Sequence, residues 1–180
     1  MTFKHLYLFI GILIGLNACQ SPPEFSAIPE ISNISVVKSH VSTGDSVSIA
    51  FDFKDGDGDL GLNANDVLVP PYFVDNKETE FADNILLSMY KRANRQWVLV
   101  DFGDKNLDYN GRFSRFQKGD KLSPIKGTIN YFFVIDDYAP YNIAIKKNDT
   151  VKFDIFIRDR ALNKSNVLST SPVVLTLNPL

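Results

Sequence analysis

The residues best suited to chemistry are three carboxylates, Asp55, Asp57 and Asp59, which alternate with Gly56 and Gly58. Three like charges on one tight arc of backbone repel each other unless a cation lies among them. Carboxylate oxygens are ligands for hard divalent ions, and calcium accepts them in flexible geometry. The spacing therefore predicts a calcium site, with the ion in a structural role.

The same loop matches part of the EF-hand calcium loop, whose side-chain ligands include positions one, three, five and twelve. Asp55, Asp57, Asp59 and Asp66 fill these four positions. Leu60 stands where the EF-hand turn needs glycine, and no flanking helices are expected. We therefore predict the four aspartates as metal ligands without predicting the EF-hand fold. The alternative is a solvated acidic turn whose glycines allow positive φ angles.

Residues typical of catalysis are sparse. His40 is the one histidine beyond the first 18 residues, and it lies in or beside a predicted strand. An isolated strand histidine is more often a surface or edge residue than a member of a Ser-His-Asp relay. The sequence has no phosphate-cradling glycine loop and no histidine-rich metal triad, although its many carboxylates leave a glycosidase open. We expect a protein that is not an enzyme.

Aromatic side chains beside prolines form a second candidate site. Tyr72, Phe73, Tyr138 and Tyr141 lie in predicted loops, where their rings could stack on sugars or cover an apolar patch of a protein partner. Packing into the core is the alternative for these rings. A carbohydrate-binding accessory role is therefore the second functional hypothesis.

Residues 1–18 have the pattern of a secretory signal. Lys4 precedes an apolar run over residues 6–16, which at eleven residues is shorter than the roughly 20 that a membrane-spanning helix needs. The segment ends in Leu16-Asn17-Ala18-Cys19 and resembles the lipobox of bacterial lipoproteins. The resemblance implies lipidation of the Cys19 thiol and cleavage before it, so that the chain is anchored to a membrane through lipid. The alternative is an ordinary signal peptide with an incidental cysteine.

Outer-membrane residence is the expected location. Gln20 and Ser21 follow the cysteine, whereas an aspartate there favours inner-membrane retention in lipoproteins that the motif resembles. Which face of the membrane carries the domain is left open. The formal net charge of −2 suggests neither nucleic acid nor a basic membrane patch as a partner.

The chain is predicted to have one folded domain. Residues 19–29 form a polar, proline-containing tether after the lipidated cysteine, and the domain covers residues 30–180. Cys19 is the only cysteine, so an internal disulfide cannot stabilise the domain. Its stability must come from a hydrophobic core or a metal.

The hydrophobic pattern predicts an all-β fold. Val47, Ile49, Phe51 and Phe53 alternate with smaller or polar residues, which is the period of a half-buried antiparallel strand. No amphipathic helix of convincing length is present. The segments with strand character number about seven and point to a two-sheet sandwich: residues 31–38, 46–54, 85–91, 96–101, 128–135, 151–158 and 172–177.

Alternating strand directions make a prediction about the loops. The connections after the second, fourth and sixth strands would share one end of the sandwich. Acidic residues in the segments 55–66, 101–110 and 159–163 would therefore meet there. Asp136 and Asp137 would lie at the opposite end.

The last third of the chain resembles the closing hairpin of bacterial immunoglobulin-like domains. A strand over residues 151–157 is followed by Asp159, Ala161, Asn163 and Ser165 at alternate positions, and then by an apolar last strand. The resemblance implies an immunoglobulin-like antiparallel β-sandwich. Together with the lipobox and the acidic loop, it predicts a lipid-anchored structural or partner-binding lipoprotein of the cell envelope.

Overall fold

A computed structural model describes residues 25–102, 108–117, 122–136 and 145–177. Within these ranges the protein is an all-β structure of antiparallel sheets, with one 3-10 turn at Asp66–Leu68. No helix in the described residues is long and apolar enough to cross a membrane. The ten strands are β1 Glu30–Val41, β2 Gly44–Asp55, β3 Phe73–Val74, β4 Lys77–Glu78, β5 Ile85–Ala93, β6 Gln96–Leu99, β7 Ile125–Asp136, β8 Thr150–Ile157, β9 Leu168–Ser169 and β10 Val173–Val174.

The strands form two main sheets and a small hairpin. One sheet has the order β1-β2-β7, and the other has the order β10-β8-β5-β6 with β9 also paired to β8. β3 and β4 pair with each other outside both sheets. All seven strands expected from the sequence are present, but the predicted number is too low. The three additional strands, β3, β4 and β9, have two residues each and are too short to show a hydrophobic period.

The core lies between the two main sheets. Along β2 every second residue from Val47 to Phe53 is buried, and β8 shows the same alternation. The rings of Phe133 in β7 and Phe153 in β8 meet edge to face at 5.4 Å, which joins the sheets. Burying each such side chain stabilises the fold by about 1.5–3 kcal/mol. The core therefore fixes which way every side chain of β2 points.

β2 spans the sandwich from one end to the other. It pairs over its whole length with β7, from Gly44 opposite Asp136 to Asp55 opposite Ile125. Asp136 is thus at the far end of β2 from the acidic loop, as the alternation of strand directions predicts. Asp137 lies outside the described residues.

The far end of β2 holds a carboxylate with a structural role. Asp45 is fully buried, and its oxygens accept hydrogen bonds from Lys38 Nζ at 3.2 Å and from the backbone N–H and hydroxyl of Thr176. Burial raises the pKa of Asp45, but the hydrogen bonds from Thr176, His40 and Lys38 outweigh it and the pKa is lowered. This satisfied carboxylate contrasts with those at the other end of the strand.

Candidate metal centre

The strand alternation explains why Asp55 is buried. Phe51 and Phe53 point into the core, and Asp55 is the next residue with the same orientation. Its side chain therefore occupies an inward position that an apolar residue would normally fill, and it is 0% exposed. The chain then turns through Gly58, which has a φ of 72° that glycine adopts without strain.

The turn brings the three predicted ligands together. One carboxylate oxygen from each of Asp55, Asp57 and Asp59 lies within 4.8 Å of the other two. Asp55 and Asp59 are buried, and Asp57 is half-buried. A cation placed among the three would have an oxygen ligand from each.

Several of these oxygens have no hydrogen-bond partner in the described structure. They are both oxygens of Asp55 and the Oδ1 atoms of Asp57 and Asp59. Buried carboxylates are normally paired or hydrogen-bonded, because an unpaired buried charge is costly. Asp59 Oδ2 is satisfied, since it accepts a hydrogen bond of 3.1 Å from the backbone N–H of Ala161. Each of the three grouped aspartates therefore has at least one unpartnered oxygen.

The electrostatics of the loop oppose full ionisation of the cluster. Burial, followed by repulsion from Asp57, Asp59 and Asp159, raises the pKa of Asp55 to about 7. The backbone N–H of Leu60 opposes this rise only weakly and makes no hydrogen bond of normal geometry to Asp55. Burial, then Asp159 and Asp57, also raise the pKa of Asp59. A bound cation would remove this repulsion.

Asp159 is a fourth carboxylate near enough to raise the pKa of Asp55 and Asp59, but it is not one of the three residues whose oxygens are grouped. Asp159 comes two residues after the end of β8. It forms an isolated antiparallel bridge with Leu60, the residue that follows Asp59. Its two oxygens accept hydrogen bonds from the backbone N–H of Asn163 at 2.7 Å and from Asn163 Nδ2 at 2.9 Å. Burial raises the pKa of Asp159, and repulsion from Asp57 adds to the rise although the bonds from Asn163 oppose it. Segments 55–66 and 159–163 thus meet at one end of the sandwich, as the alternating strand directions predict. Asp159 itself is not among the ligands predicted from the sequence.

The nearby arginines neutralise the cluster only in part. Arg160 lowers the pKa of Asp59, although its effect is smaller than those of burial and of the neighbouring carboxylates. Arg158 is buried and is directed elsewhere, with Nη1 donating to the Glu80 carbonyl at 3.0 Å and the guanidinium 5.0 Å from the centre of the Phe81 ring. The cluster therefore keeps an excess of negative charge.

Asp66 is not one of the grouped oxygens. Its carboxylate accepts two hydrogen bonds from the Arg115 guanidinium and one of 2.6 Å from the backbone N–H of Asn63. Burial raises the pKa of Asp66, but the contacts with Arg115 and Asn63 outweigh it and lower the pKa overall. The structure therefore groups three of the four predicted ligands, Asp55, Asp57 and Asp59, and pairs Asp66 with the Arg115 guanidinium.

The structure describes two of the four residues of the predicted aromatic site, Tyr72 and Phe73. Tyr72 is buried at 6% exposure, and its hydroxyl donates to the Arg160 carbonyl at 3.1 Å. Phe73 is half-buried in β3. Tyr138 and Tyr141 lie outside the described residues, as does Cys19. Of the pair Tyr72 and Phe73, Tyr72 packs into the interior, which is the alternative that the sequence leaves open, because Leu62, Val67 and Tyr72 form a small core of their own.

The three acidic segments meet only in part. Residues 55–66 and 159–163 come together, whereas 103–107 lie outside the described residues. Asp108 bonds to the Asn110 side chain and is not among the grouped ligands. The later part of the same connection does reach the site, since the Leu62 N–H donates to the Phe113 carbonyl at 3.0 Å.

Comparisons with protein-family models, with curated proteins and with solved structures find no match to this chain.

Proposed function

We propose that this chain is a lipid-anchored lipoprotein of the bacterial outer membrane whose immunoglobulin-like sandwich binds a divalent cation, with calcium as the best fit. In this proposal the ion is structural, the protein has no catalytic activity, and the domain serves as a structural or partner-binding module. The observation that carries the metal part is Asp55, a fully buried carboxylate with both oxygens unpartnered and with one oxygen within 4.8 Å of an oxygen of each of Asp57 and Asp59.

A cation is the simplest partner for this arrangement. An apolar side chain at position 55 would extend the core without cost, so the buried carboxylate needs a compensating interaction. The partner must approach oxygens from three residues at once, and a small ion meets this requirement. A proton on Asp55 could be donated to an oxygen of only one neighbour, so the unpartnered oxygen of either Asp57 or Asp59 would remain without a partner.

The ligand chemistry favours calcium over zinc or copper. The grouped ligands are carboxylates, and no histidine or cysteine is grouped with them in the described part of the chain. Such oxygen-only sets suit calcium and magnesium, and calcium tolerates the irregular geometry and higher ligand number of a flexible loop.

A structural role follows from the segments that the ion would join. Asp55 ends β2 in one sheet, and Asp159 follows β8 in the other. A cation at the cluster would hold the two sheets together at this end. It would stabilise the folded state according to the ratio of its concentration to its dissociation constant.

The lipoprotein part of the proposal depends on Leu16-Asn17-Ala18-Cys19 at the end of an apolar run. It is tested by the intact mass of the chain extracted from bacterial membranes. Cleavage before Cys19 with added acyl mass supports it, and the Cys19→Ala variant is the control. A chain that keeps residues 1–18, or that is cleaved elsewhere and carries no acyl mass, would contradict it.

The strand order is compatible with the immunoglobulin-like proposal. When the seven predicted strands are numbered in sequence, the first, second and fifth form one sheet and the others form the second. Immunoglobulin-type sandwiches likewise separate their first, second and fifth strands from their third, sixth and seventh, but constant-type domains place the fourth strand in the first sheet, whereas here β6 pairs with β5 in the second. The carbohydrate-binding alternative loses support because the ring of Tyr72 is inside a small core.

Metal binding is tested by thermal melts of the purified protein with calcium, with magnesium and with chelator. We expect calcium to raise the melting temperature of the wild type and to have no such effect on Asp57→Asn. Asp75→Asn is the matched control, because it removes the same charge at an exposed position. Identical melts of the wild type under all three conditions would refute the site.

A further inference from the structure

The chain enters the domain beside the acidic loop. The backbone N–H of Gly56 donates to the Ser26 carbonyl at 2.8 Å, and a side chain at position 56 would overlap the Phe25 carbonyl. β1 then runs away from this end, because Glu30 pairs with Lys54 and Val41 pairs with Gly44. The first described residues therefore lie at the end of the sandwich that carries the carboxylate cluster.

Covalent geometry limits how far this end can be from a lipid anchor at Cys19. Five residues separate Cys19 from Phe25, so the two Cα atoms are six residue steps apart and at most about 22 Å from each other when the segment is fully extended. The β1–β2 turn at Ser42 and Thr43 lies at the other end of β2, which is about 36 Å long at about 3.3 Å per residue. The acidic end is thus the end that the tether keeps near the bilayer.

An exposed apolar loop lies at the same end. Residues 67–74 carry no charge, and we call them the apolar loop. Leu68, Val69 and Val74 are exposed at 63%, 51% and 46%, and the two prolines between them are also exposed. Several exposed aliphatic side chains within one short loop make it apolar, and an exposed apolar patch is typical of a contact surface.

Buried side chains and hydrogen bonds on its inner side hold the apolar loop in place. Val67 and Tyr72 are buried against Leu62, and the Tyr72 hydroxyl donates to the carbonyl of Arg160, the residue after Asp159. The Tyr72 and Phe73 N–H groups both donate to the Val69 carbonyl, at 3.0 and 3.1 Å. These contacts fix the loop beside the carboxylate cluster and leave its remaining aliphatic side chains directed outward.

We infer that the apolar loop lies against the surface of the lipid bilayer and so orients the domain with its carboxylate end toward the membrane. The inference rests on the proposed lipid anchor at Cys19. A short tether raises the local concentration of lipid around this end, so a small apolar contact is sufficient to set an orientation. The aliphatic side chains of this loop, which carries no charge of its own, suit the boundary between headgroups and acyl chains.

The test uses a thiol label on the full-length lipidated protein. Cys19 is the only cysteine, and lipidation consumes its thiol, so an introduced cysteine is the single labelling site. Val69→Cys places a fluorophore on the apolar loop, and Thr43→Cys places one on the exposed turn at the opposite end. Both proteins are reconstituted, with calcium, into phosphatidylcholine vesicles whose headgroups carry a nitroxide quencher.

We expect several-fold stronger quenching at position 69 than at position 43, and the same result for Val74→Cys. Equal quenching at both ends, or stronger quenching at position 43, would overturn the inference while leaving the lipid anchor intact. Quenching at neither end of a protein that floats with the vesicles would also overturn it, because the apolar loop would then lie away from the bilayer surface. A protein that does not float would refute the anchor, and the orientation would fall with it.

Discussion

Asp59 accepts a hydrogen bond of 3.1 Å from the backbone N–H of Ala161, which lies 102 residues later in the chain. This contact brings the loop after β2 and the loop after β8 together, and the bridge between Leu60 and Asp159 reinforces it. The carboxylate cluster is therefore built from both sheets. Changes in its charge should therefore alter the free energy of unfolding of the whole sandwich.

Replacing Asp55 by asparagine should stabilise the metal-free protein. The change removes a buried charge that three other carboxylates repel, and it keeps the shape of the side chain. We expect the melting temperature in chelator to rise above that of the wild type, and the calcium-dependent increase to be lost. Thermal melts of both proteins measure this, with Asp75→Asn as the control. A lower melting temperature for Asp55→Asn in chelator would mean that the native carboxylate is not under repulsion.

The stability of the metal-free protein should fall as the pH rises from about 4 to about 7. In the folded state the pKa of Asp55 is about 7, against a usual value of 3.8. The folded state thus binds the proton more tightly, and the stability that this contributes is complete below the usual value and is lost as pH rises through about 7. Urea unfolding in chelator across this range measures the trend. The Asp55→Asn variant should show a smaller decline, and an equal decline would place its origin elsewhere.

Calcium should reverse this pH dependence. The ion competes with the proton on Asp55, so its affinity should increase as pH rises toward about 7 and level off above it. Calorimetric titration with calcium at several pH values measures the affinity. An affinity that does not change between pH 5 and pH 7.5 would show that Asp55 is not a ligand.

Gly61→Ala should destabilise the fold near the site. Gly61 has a φ of 95°, and an added Cβ would overlap the Ser114 carbonyl oxygen and lie 2.6 Å from Arg115 Cα. Forcing a side chain into this conformation costs about 1–3 kcal/mol in free energy of unfolding before the steric overlap is counted. Urea unfolding measures the loss. Gly127→Ala in β7 is the contrast, because its nearest neighbour is the tip of the Phe53 ring at 3.1 Å. A loss at Gly61 no larger than at Gly127 would contradict this packing.

Asp66→Asn tests whether the ligands are Asp55, Asp57 and Asp59 alone or also include Asp66. Asp66 is paired with Arg115, so the variant should lower the free energy of unfolding by about 1–3 kcal/mol and leave calcium affinity nearly unchanged. Calorimetric titration alongside urea unfolding measures both quantities. A large loss of calcium affinity would restore Asp66 as a ligand.

The sequence predicts the parts of this structure that depend on local periodicity. The alternation through Val47, Ile49, Phe51 and Phe53 identifies β2 and its buried face, and the same rule extended by two residues would have placed Asp55 in the core. The grouping of Asp55 with Asp57 and Asp59 follows from their spacing along one turn. These features require no knowledge of distant residues.

The remaining features depend on contacts that local patterns do not encode. Asp66 meets Arg115 across 49 residues, and this pairing removes it from the candidate ligands. Tyr72 is buried because a separate small core forms beneath the apolar loop, in a segment without any hydrophobic period. Leu162, with a φ of 68°, occupies a left-handed conformation that a bulky residue adopts only where surrounding contacts impose it. Such positions are fixed by tertiary structure.

The most direct test of the central claim is an anomalous difference map from crystals grown with calcium. The proposal predicts one peak among the carboxylates of Asp55, Asp57 and Asp59, with oxygen distances of about 2.3–2.6 Å. The same peak should be missing in crystals of Asp55→Asn. A wild-type map without density at this position, in crystals where the three side chains are well ordered, would contradict the account.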